Sequence, residues 1–134
     1  MAVLRHEVMA VRTENDVVHV RQVVRQWAVN LGLGLVDQTK IVTAASELAR
    51  NTVAYGGGGT LCIEALQDAG RAGLRLTFED RGPGIANLAL ALTDGYSSGT
   101  GMGLGLGGSK RLVNEFDIWS QPGEGTRVTV TRWR

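Results

Sequence analysis

The sequence predicts an α+β fold: a two-layer sandwich of a mostly antiparallel mixed sheet with helices on one face. Two segments, residues 16–31 and 37–55, carry apolar residues at the three- and four-residue spacing of amphipathic helices. Two pairs of strand-like segments, 60–66 with 74–80 and 116–120 with 126–133, are each joined by a short turn, as in hairpins. The 134 residues suffice for one core. We therefore expect a single domain over residues 1–134.

The first two predicted elements are a strand and a helix. Arg5–Val11 alternates loosely, and its charges favour the edge of a sheet, where they reach water. Asn15 or Asp16 can cap a helix that runs to about residue 31, ended by two nearby glycines. Its predicted buried stripe comprises Val17, Val20, Val24, Trp27 and Leu31.

Two further helices are predicted, for a total of three. Asp37 is the expected cap of the second, and a glycine run at residues 56–59 ends it. A third helix is expected over Gly107–Glu115, after a glycine-rich stretch. The buried stripe of the second helix comprises Ile41, Ala44, Ala45, Leu48, Thr52 and Tyr55.

Charge and cysteine content exclude several classes of protein. The net charge is +1 with both signs interspersed, so neither nucleic acid nor a membrane surface is an expected partner. The single cysteine, Cys62, cannot form an internal disulfide, and no long apolar run or signal peptide is present. These features predict a cytoplasmic protein.

The stretch GTGMGLGLGGSKRL, residues 99–112, holds six glycines in ten residues. Glycines let backbone N–H groups approach an anion, and a helix N-terminus adds unpaired N–H groups, so the stretch suggests a phosphate site. Lys110 would lie in the first turn of that helix, where a cation opposes the dipole unless an anion offsets it. It is therefore a plausible phosphate contact. Walker A, dinucleotide-binding and protein-kinase glycine loops do not fit the surrounding residues.

Glu47 and Asn51 lie four residues apart on the second predicted helix, so they share a face beside the buried stripe. A carboxylate next to an amide oxygen suits a general base beside a magnesium ligand. The alternative is that both belong to the solvated flank of an amphipathic helix, and taken alone the pair favours that alternative.

Asp80 ends an apolar strand and is followed at once by Arg-Gly-Pro-Gly. Its carboxylate can accept a hydrogen bond from an exocyclic amine, or it can simply bond its own backbone to begin a turn. The two interpretations are equally compatible with the sequence. Gly82 and Gly84 favour the first, because two spaced glycines suggest close approach of a flat ligand.

The segments Glu47-Leu-Ala-Arg-Asn51, Asp80-Arg-Gly-Pro-Gly84 and Gly101-Met-Gly-Leu-Gly105-Leu106 occur in that order. In this order they resemble the N, G1 and G2 boxes of the GHKL ATP-binding (Bergerat) fold, and the 123–126 segment resembles a later box. The resemblance covers nearly the whole chain. Within that fold, the run GLGLGGSKRLVNEF is most similar to the RsbT-type serine/threonine kinases of sigma-factor partner-switching pathways.

The resemblance implies ATP and Mg²⁺ as ligands and a role for each matching residue. Asn51 would bind Mg²⁺, Glu47 would activate the attacking hydroxyl, and Asp80 would bind the adenine amine with help from Thr126. The implied substrate is a serine or threonine of a STAS-domain antagonist protein, with a downstream phosphatase or sigma regulator as a further candidate partner. The remaining residues expected to frame the nucleotide are Gly82, Gly84, Gly101, Gly103, Gly105, Leu106 and Lys110.

Two alternatives to a kinase remain at this stage. An ATP-gated binding module would sequester a sigma factor or regulator without essential catalysis, and such a module has no need of Glu47 beside the metal ligand. An ATPase with its own conformational cycle is disfavoured by the short segment between residues 84 and 101 and by the absence of a transducer domain.

Overall fold

The computed structural model describes residues 1–92 and 106–134. The described strands form one five-stranded sheet in the order β1-β2-β3-β5-β4, and each neighbouring pair is antiparallel. The α+β prediction is confirmed, with a sheet that is antiparallel in all its described pairs. The elements are β1 (Ala2–Val11), α1 (Glu14–Asn30), α2 (Leu35–Ala54), β2 (Gly59–Asp68), β3 (Arg71–Asp80), α3 (Leu88–Ala91), α4 (Leu106–Arg111), β4 (Glu115–Gln121) and β5 (Gly125–Trp133).

The core lies between the sheet and the helices α1 and α2, which pack against each other. Alternate residues of the central strands point toward the helices, because side chains alternate between the two faces of a strand. The helices cover one face, as predicted. Fully buried side chains of this core include Val20, Val24, Ile41, Leu48, Leu61, Ile63, Leu74, Leu76 and Val130.

The opposite face of the sheet is largely polar. Arg75 and Glu64 form an ion pair at 2.8 Å on neighbouring strands, and the Thr77 and Thr129 hydroxyls lie 3.4 Å apart. At one end of this face, the ring of Trp133 packs over Gly73, where a Cβ would collide with it. No helix in the described part of the chain is long and apolar enough to cross a membrane.

The N-cap of the first helix lies two to three residues before the predicted caps. Thr13 is the N-cap: its hydroxyl accepts a hydrogen bond from the Asp16 N–H at 3.2 Å. The Asp16 carboxylate in turn accepts from the N–H groups of Arg12 and Thr13, at 2.8 and 3.1 Å. The assignment of the cap to Asn15 or Asp16 was wrong because Asp16 occupies the third helical position of a reciprocal capping box.

The second helix begins at Leu35 with Gly34 as its N-cap, so the prediction that Asp37 caps it was wrong. Asp37 lies within the first turn and instead receives the guanidinium of Arg132 from β5, at 2.6 Å. A carboxylate in the first turn also interacts favourably with the helix dipole. Asp37 therefore ties the start of α2 to the sheet.

The helix after the glycine-rich stretch is shorter than predicted, ending at Arg111 instead of Glu115. Asn114 already belongs to the sheet region, since its side chain accepts a hydrogen bond from the Trp133 N–H at 2.7 Å. As a result, Lys110 and Arg111 lie in the last turn of α4, where cations favour the dipole. The argument that Lys110 opposes the dipole in a first turn was wrong.

Candidate functional site

A pocket opens between the C-terminal half of α2 and the adjoining ends of β3 and β5. Its walls are mostly apolar, and polar side chains from α2, β3 and β5 reach into it. The structure thereby brings together Asn51, Asp80, Leu106 and Thr126 from four separate segments. The described lining residues are Leu48, Asn51, Thr52, Tyr55, Phe78, Asp80, Ile85, Leu106, Thr126 and Val128.

Asp80 is the last residue of β3 and pairs with Thr126 across the sheet. Its Oδ1 accepts a hydrogen bond from the Gly82 N–H at 2.9 Å, so it begins a turn as well as lining the pocket. Burial raises the pKa of Asp80, while hydrogen bonds from the backbone N–H groups of Gly82 and Thr126 partly oppose this rise. The turn interpretation of Asp80 is therefore confirmed, and because Asp80 also lines the pocket, its hydrogen bond with an amine stays a prediction.

Gly56 is a site residue that the sequence reasoning missed. It follows the C-cap of α2, and its N–H donates to the Asn51 carbonyl at 3.0 Å. A Cβ at this position would collide with the Asp80 carboxylate. The end of α2 thus presses against Asp80, and only a glycine leaves room for the carboxylate. Nothing in the sequence separates Gly56 from its neighbours in the glycine run.

The loop after Asp80 is anchored by close backbone contacts. A Cβ at Gly82 would lie 2.7 Å from the Gly56 Cα, and a Cβ at Gly84 would collide with the Gln121 carbonyl. The Pro83 carbonyl also accepts from the Gly123 N–H at 2.8 Å. These contacts account for both glycines without a ligand, because each allows the protein backbone to approach itself. Their approach to a flat ligand stays a prediction.

Ser120, a second residue missed from the sequence, links that loop to the β4–β5 hairpin. Its Oγ accepts from the Ile85 N–H at 2.8 Å and donates to the Gly125 carbonyl at 3.0 Å. It also lies 2.8 Å from the Thr126 hydroxyl. The Ser120 hydroxyl therefore holds two groups of the pocket in place: the backbone of Ile85, which forms part of the wall, and the hydroxyl of Thr126.

Glu47 and Asn51 share one face of α2, as the spacing predicts. Asn51 lines the pocket, whereas Glu47 lies one helical turn earlier and is not among its described lining residues. The Glu47 side chain is 36% exposed, and its Oε1 lies 3.0 Å from Arg50 Nη1. The alternative that both residues belong to the solvated flank of α2 fits the position of Glu47. It does not fit the position of Asn51, which lines the pocket.

The last predicted contributions come from the glycine-rich stretch and α4. Leu106 is buried and lines the pocket, but Lys110 is exposed and is not among the described lining residues. The buried hydroxyl of Ser109 has no hydrogen-bond partner in the described part of the chain. Gly101, Gly103 and Gly105 lie outside the described residues.

The polar and metal-ligating side chains of the pocket limit which ligands can bind there. Residues 1–92 and 106–134 contain no group of three or more His, Cys, Asp or Glu side chains able to hold a metal. A divalent cation here would therefore rely on Asn51 and on oxygens of the ligand, as Mg²⁺ commonly does with phosphates. Apolar walls with one carboxylate at the end suit a flat heteroaromatic ring that carries an amine.

Comparison with known proteins identifies the family. The model of the histidine kinase-, DNA gyrase B- and HSP90-like ATPases matches residues 36–133, which include the pocket. The chain belongs to this family. It is also 46% identical, over 92% of its length and 92% of the relative, to the serine/threonine-protein kinase RsbT of Bacillus subtilis.

A solved structure supports the same assignment. The RsbU and RsbW domains of Rv1364c from Mycobacterium tuberculosis match with a TM-score of 0.63 and 26% identity. The match covers 97% of this chain and 32% of that chain. Membership in a family of ATPases makes ATP the ligand of this chain, in agreement with the apolar pocket that ends at Asp80.

Proposed function

We propose that the protein is a serine/threonine-protein kinase that transfers the γ-phosphoryl of ATP to a Ser or Thr hydroxyl of a STAS-domain regulatory partner. The position of Glu47 carries the proposal. This carboxylate lies one helical turn from Asn51, outside the described pocket lining and partly exposed to water. A partner protein can reach such a group, whereas a binding site for ATP alone has no use for it.

Adenine recognition is assigned to Asp80 and Thr126 in this proposal. The Asp80 carboxylate would accept a hydrogen bond from the exocyclic amine, since Gly82 already orients it. The hydroxyl of Thr126 is oriented by Ser120 and would assist. Burial of the base against Leu48, Phe78 and Val128 would supply apolar contact.

The phosphate side of the pocket is assigned to Asn51 and the glycine-rich stretch. Asn51 would hold Mg²⁺, which when bound neutralises charge on the transferred phosphoryl group. Leu106 would close the pocket, and the glycines at 101, 103 and 105 would frame the phosphates. Lys110 remains a proposed phosphate contact, although its place in the last turn of α4 removes the original reason for choosing it.

Glu47 is assigned the role of general base. The partner's hydroxyl oxygen attacks the γ-phosphorus, its proton passes to the Glu47 carboxylate, and the bond to the β-phosphate oxygen breaks to release ADP. To accept the proton, Glu47 must exchange its contact with Arg50 for one with the hydroxyl. An exposed ion pair three residues apart on a helix contributes little free energy, so this exchange is inexpensive.

The partner class follows from the relatives and is part of the proposal. The similar proteins carry the names RsbT and RsbW, which belong to the partner-switching kinases. We infer a STAS-domain substrate on this basis, with a downstream phosphatase or a sigma regulator as a further partner. We also propose that the chain works in the cytoplasm.

Transfer of labelled γ-phosphate to purified STAS-domain proteins of the same organism tests the proposal. We expect label on one of them in the presence of Mg²⁺, and none when its acceptor serine or threonine is replaced by alanine. If the chain instead binds a partner only in the presence of ATP and never transfers label, it is an ATP-gated binding module and the kinase proposal is wrong.

Asn51→Ala tests the magnesium assignment separately. Because Asn51 lies beside the buried stripe of α2 and is not fully buried, the variant should fold. It should lose the increase in melting temperature that Mg-ATP gives the wild-type protein. A variant that keeps the full increase would show that Asn51 is not the metal ligand.

A further inference from the structure

Ser120, Thr126 and Asp80 lie side by side in one row across the sheet. Ser120 of β4 is directly opposite Thr126 of β5, and Thr126 is directly opposite Asp80 of β3. Residues that face each other across antiparallel strands project to the same face of the sheet. Thr126 and Asp80 line the pocket, and Ser120 is not among its described lining residues. Ser120 can therefore act on a ligand through Thr126.

The Ser120 hydroxyl has three polar neighbours and one proton to give. The Gly125 carbonyl, at 3.0 Å, can only accept a hydrogen bond, so the Ser120 proton is donated to it. The Ile85 N–H, at 2.8 Å, donates to the Ser120 oxygen. The remaining contact, 2.8 Å between the Ser120 and Thr126 hydroxyls, therefore uses the proton of Thr126.

This arrangement leaves the Thr126 hydroxyl as an acceptor toward the pocket. Its single proton is donated to Ser120, so only oxygen lone pairs remain for a ligand. The neighbouring Asp80 carboxylate, when ionised, also only accepts. Two acceptors therefore lie side by side at the end of the pocket that the sheet forms.

The spacing of these two acceptors suits an exocyclic amine. Directly opposite residues of an antiparallel pair have Cβ atoms about 4.5 to 5.5 Å apart. A planar NH₂ group that makes two hydrogen bonds of about 2.9 Å spans two acceptors roughly 5 Å apart. A keto oxygen in the same place has no proton to donate, so it would face two acceptors without forming a hydrogen bond to either.

We propose that Ser120 is a specificity-determining residue for the base of the nucleotide. By accepting the Thr126 proton, Ser120 leaves Thr126 and Asp80 as paired acceptors, which select a 6-amino purine over a 6-oxo purine. The inference rests on the adenine site of the proposed function, and it makes Ser120 a positioning residue that acts through Thr126. Without Ser120, the Thr126 hydroxyl can rotate and donate its proton to a 6-oxo group.

Titration with ATP and inosine triphosphate (ITP) tests the role of Ser120. The two nucleotides differ at position 6 of the base, where ITP has a keto oxygen, and in the proton on the adjacent ring nitrogen. Ser120→Ala frees the Thr126 proton, so ITP affinity should rise about five- to tenfold relative to ATP affinity. General distortion of the pocket would weaken both nucleotides and would not favour ITP. An unchanged ratio of the two dissociation constants would overturn the proposal.

A Thr126→Val background shows whether the effect passes through the Thr126 hydroxyl. Valine has nearly the same shape but no hydroxyl, so Ser120→Ala should no longer raise ITP affinity in this background. Thr129→Val is the matched control, because it removes a hydroxyl from the same strand on the opposite face of the sheet, where Thr129 contacts Thr77. It should leave the ratio unchanged. A gain for ITP that persists without the Thr126 hydroxyl, or that appears equally in the control, would overturn the proposal.

Thr126→Val alone keeps the proposal testable if melting curves show that Ser120→Ala does not fold. Ser120 is intact in this variant. Under the proposal the Thr126 hydroxyl accepts from the amine of ATP and donates nothing to the keto group of ITP. Thr126→Val should therefore weaken ATP binding about fivefold and leave ITP binding unchanged. An equal or larger loss for ITP would show that Thr126 donates to the base, and the proposal would be wrong.

These titrations measure binding and involve no phosphoryl transfer, so failure of the kinase assay leaves the proposal untouched. Asp80→Asn separates the two remaining cases. If it leaves ATP binding unchanged, the adenine site of the proposed function is wrong, and the inference fails with it. If Asp80→Asn weakens ATP binding and the ratio does not respond to Ser120→Ala, the role of Ser120 alone is wrong.

Discussion

The two acidic residues of the site, Asp80 and Glu47, are held in opposite ways. Asp80 is fixed by the Gly82 N–H, by the pairing of β3 with β5, and by the close contact of Gly56. The Glu47 side chain is 36% exposed, and its described contact is an ion pair with Arg50. The rigid carboxylate suits recognition of a fixed shape, and the loosely held one suits a group that must change partners during a reaction.

The Asp80 carboxylate is held in place mainly by contacts with backbone atoms. Gly56, Gly82 and Gly84 let three segments approach within van der Waals contact, and Ser120 bonds two of them. A carboxylate with a raised pKa needs such support, since burial disfavours its charged form. Glu47, in contrast, is partly exposed to water, and its described contact is with a single side chain.

Glu47→Gln should produce the largest effect, a loss of about 10² to 10⁴ in the rate of phosphoryl transfer. Glutamine is nearly the same shape but cannot accept the proton, so ATP affinity should stay within a few-fold of the wild type. Arg50→Ala is the control, because it removes the ion pair and keeps the base. If Glu47→Gln transfers as fast as the wild type, Glu47 belongs only to the solvated flank of α2.

Asp80→Asn should act on binding, with ATP affinity reduced about 10- to 100-fold through the loss of a charged hydrogen-bond acceptor. Discrimination of ATP from GTP should weaken too, because the new amide can donate as well as accept. Isothermal titration with both nucleotides measures the two effects. Unchanged affinity and preference would remove Asp80 from base recognition.

Gly56→Ala should reduce ATP affinity about tenfold, since the new methyl group displaces the Asp80 carboxylate from its position. Gly108→Ala is the matched control: among residues 1–92 and 106–134, no atom outside the backbone of its own helix lies within 4 Å of a Cβ there, and alanine favours the helix α4. Titration of both variants with ATP separates a specific contact from a general effect of adding a methyl group. Equal affinities would contradict the close fit at Gly56.

The smallest expected effect concerns stability and pH in the absence of nucleotide. The pKa of Asp80 is raised above its usual 3.8 by folding, so the folded state loses stability as pH rises from that value through the folded-state pKa. Asparagine does not ionise. The melting temperature of Asp80→Asn relative to the wild type should therefore be higher at pH 7 than at pH 3. A difference that is constant or reversed with pH would contradict the burial argument.

The sequence predicted what depends on periodicity and order along the chain. The α+β class and the stripes of α1 and α2 follow from side-chain spacing, and the edge position of β1 follows from its charges. All are confirmed, except that Leu31 and Tyr55 lie just beyond the helix ends and are only partly buried. Helix ends were less predictable, since Asp16 and Asp37 resemble caps and are instead a capping-box acceptor and an ion-pair partner. Residues that act through close tertiary contact, such as Gly56 and Ser120, leave no local pattern.

The same limit applies within the site. The order of the Glu47–Asn51 and Asp80–Gly84 segments predicted that they share one ligand, and Asn51 and Asp80 do line one pocket. The reason for Gly82 and Gly84 was not predictable, because it depends on which backbone segments lie opposite them in the fold.

The central claim, that Asp80 recognises ATP and Glu47 is the general base of phosphoryl transfer, is tested most directly by measuring two quantities for both variants. These are the ATP dissociation constant and the single-turnover transfer rate to the partner at saturating ATP and magnesium. We predict that Glu47→Gln keeps the dissociation constant and loses the rate, and that Asp80→Asn weakens binding and keeps most of the rate. Parallel loss of binding and rate in both variants would contradict the division of roles.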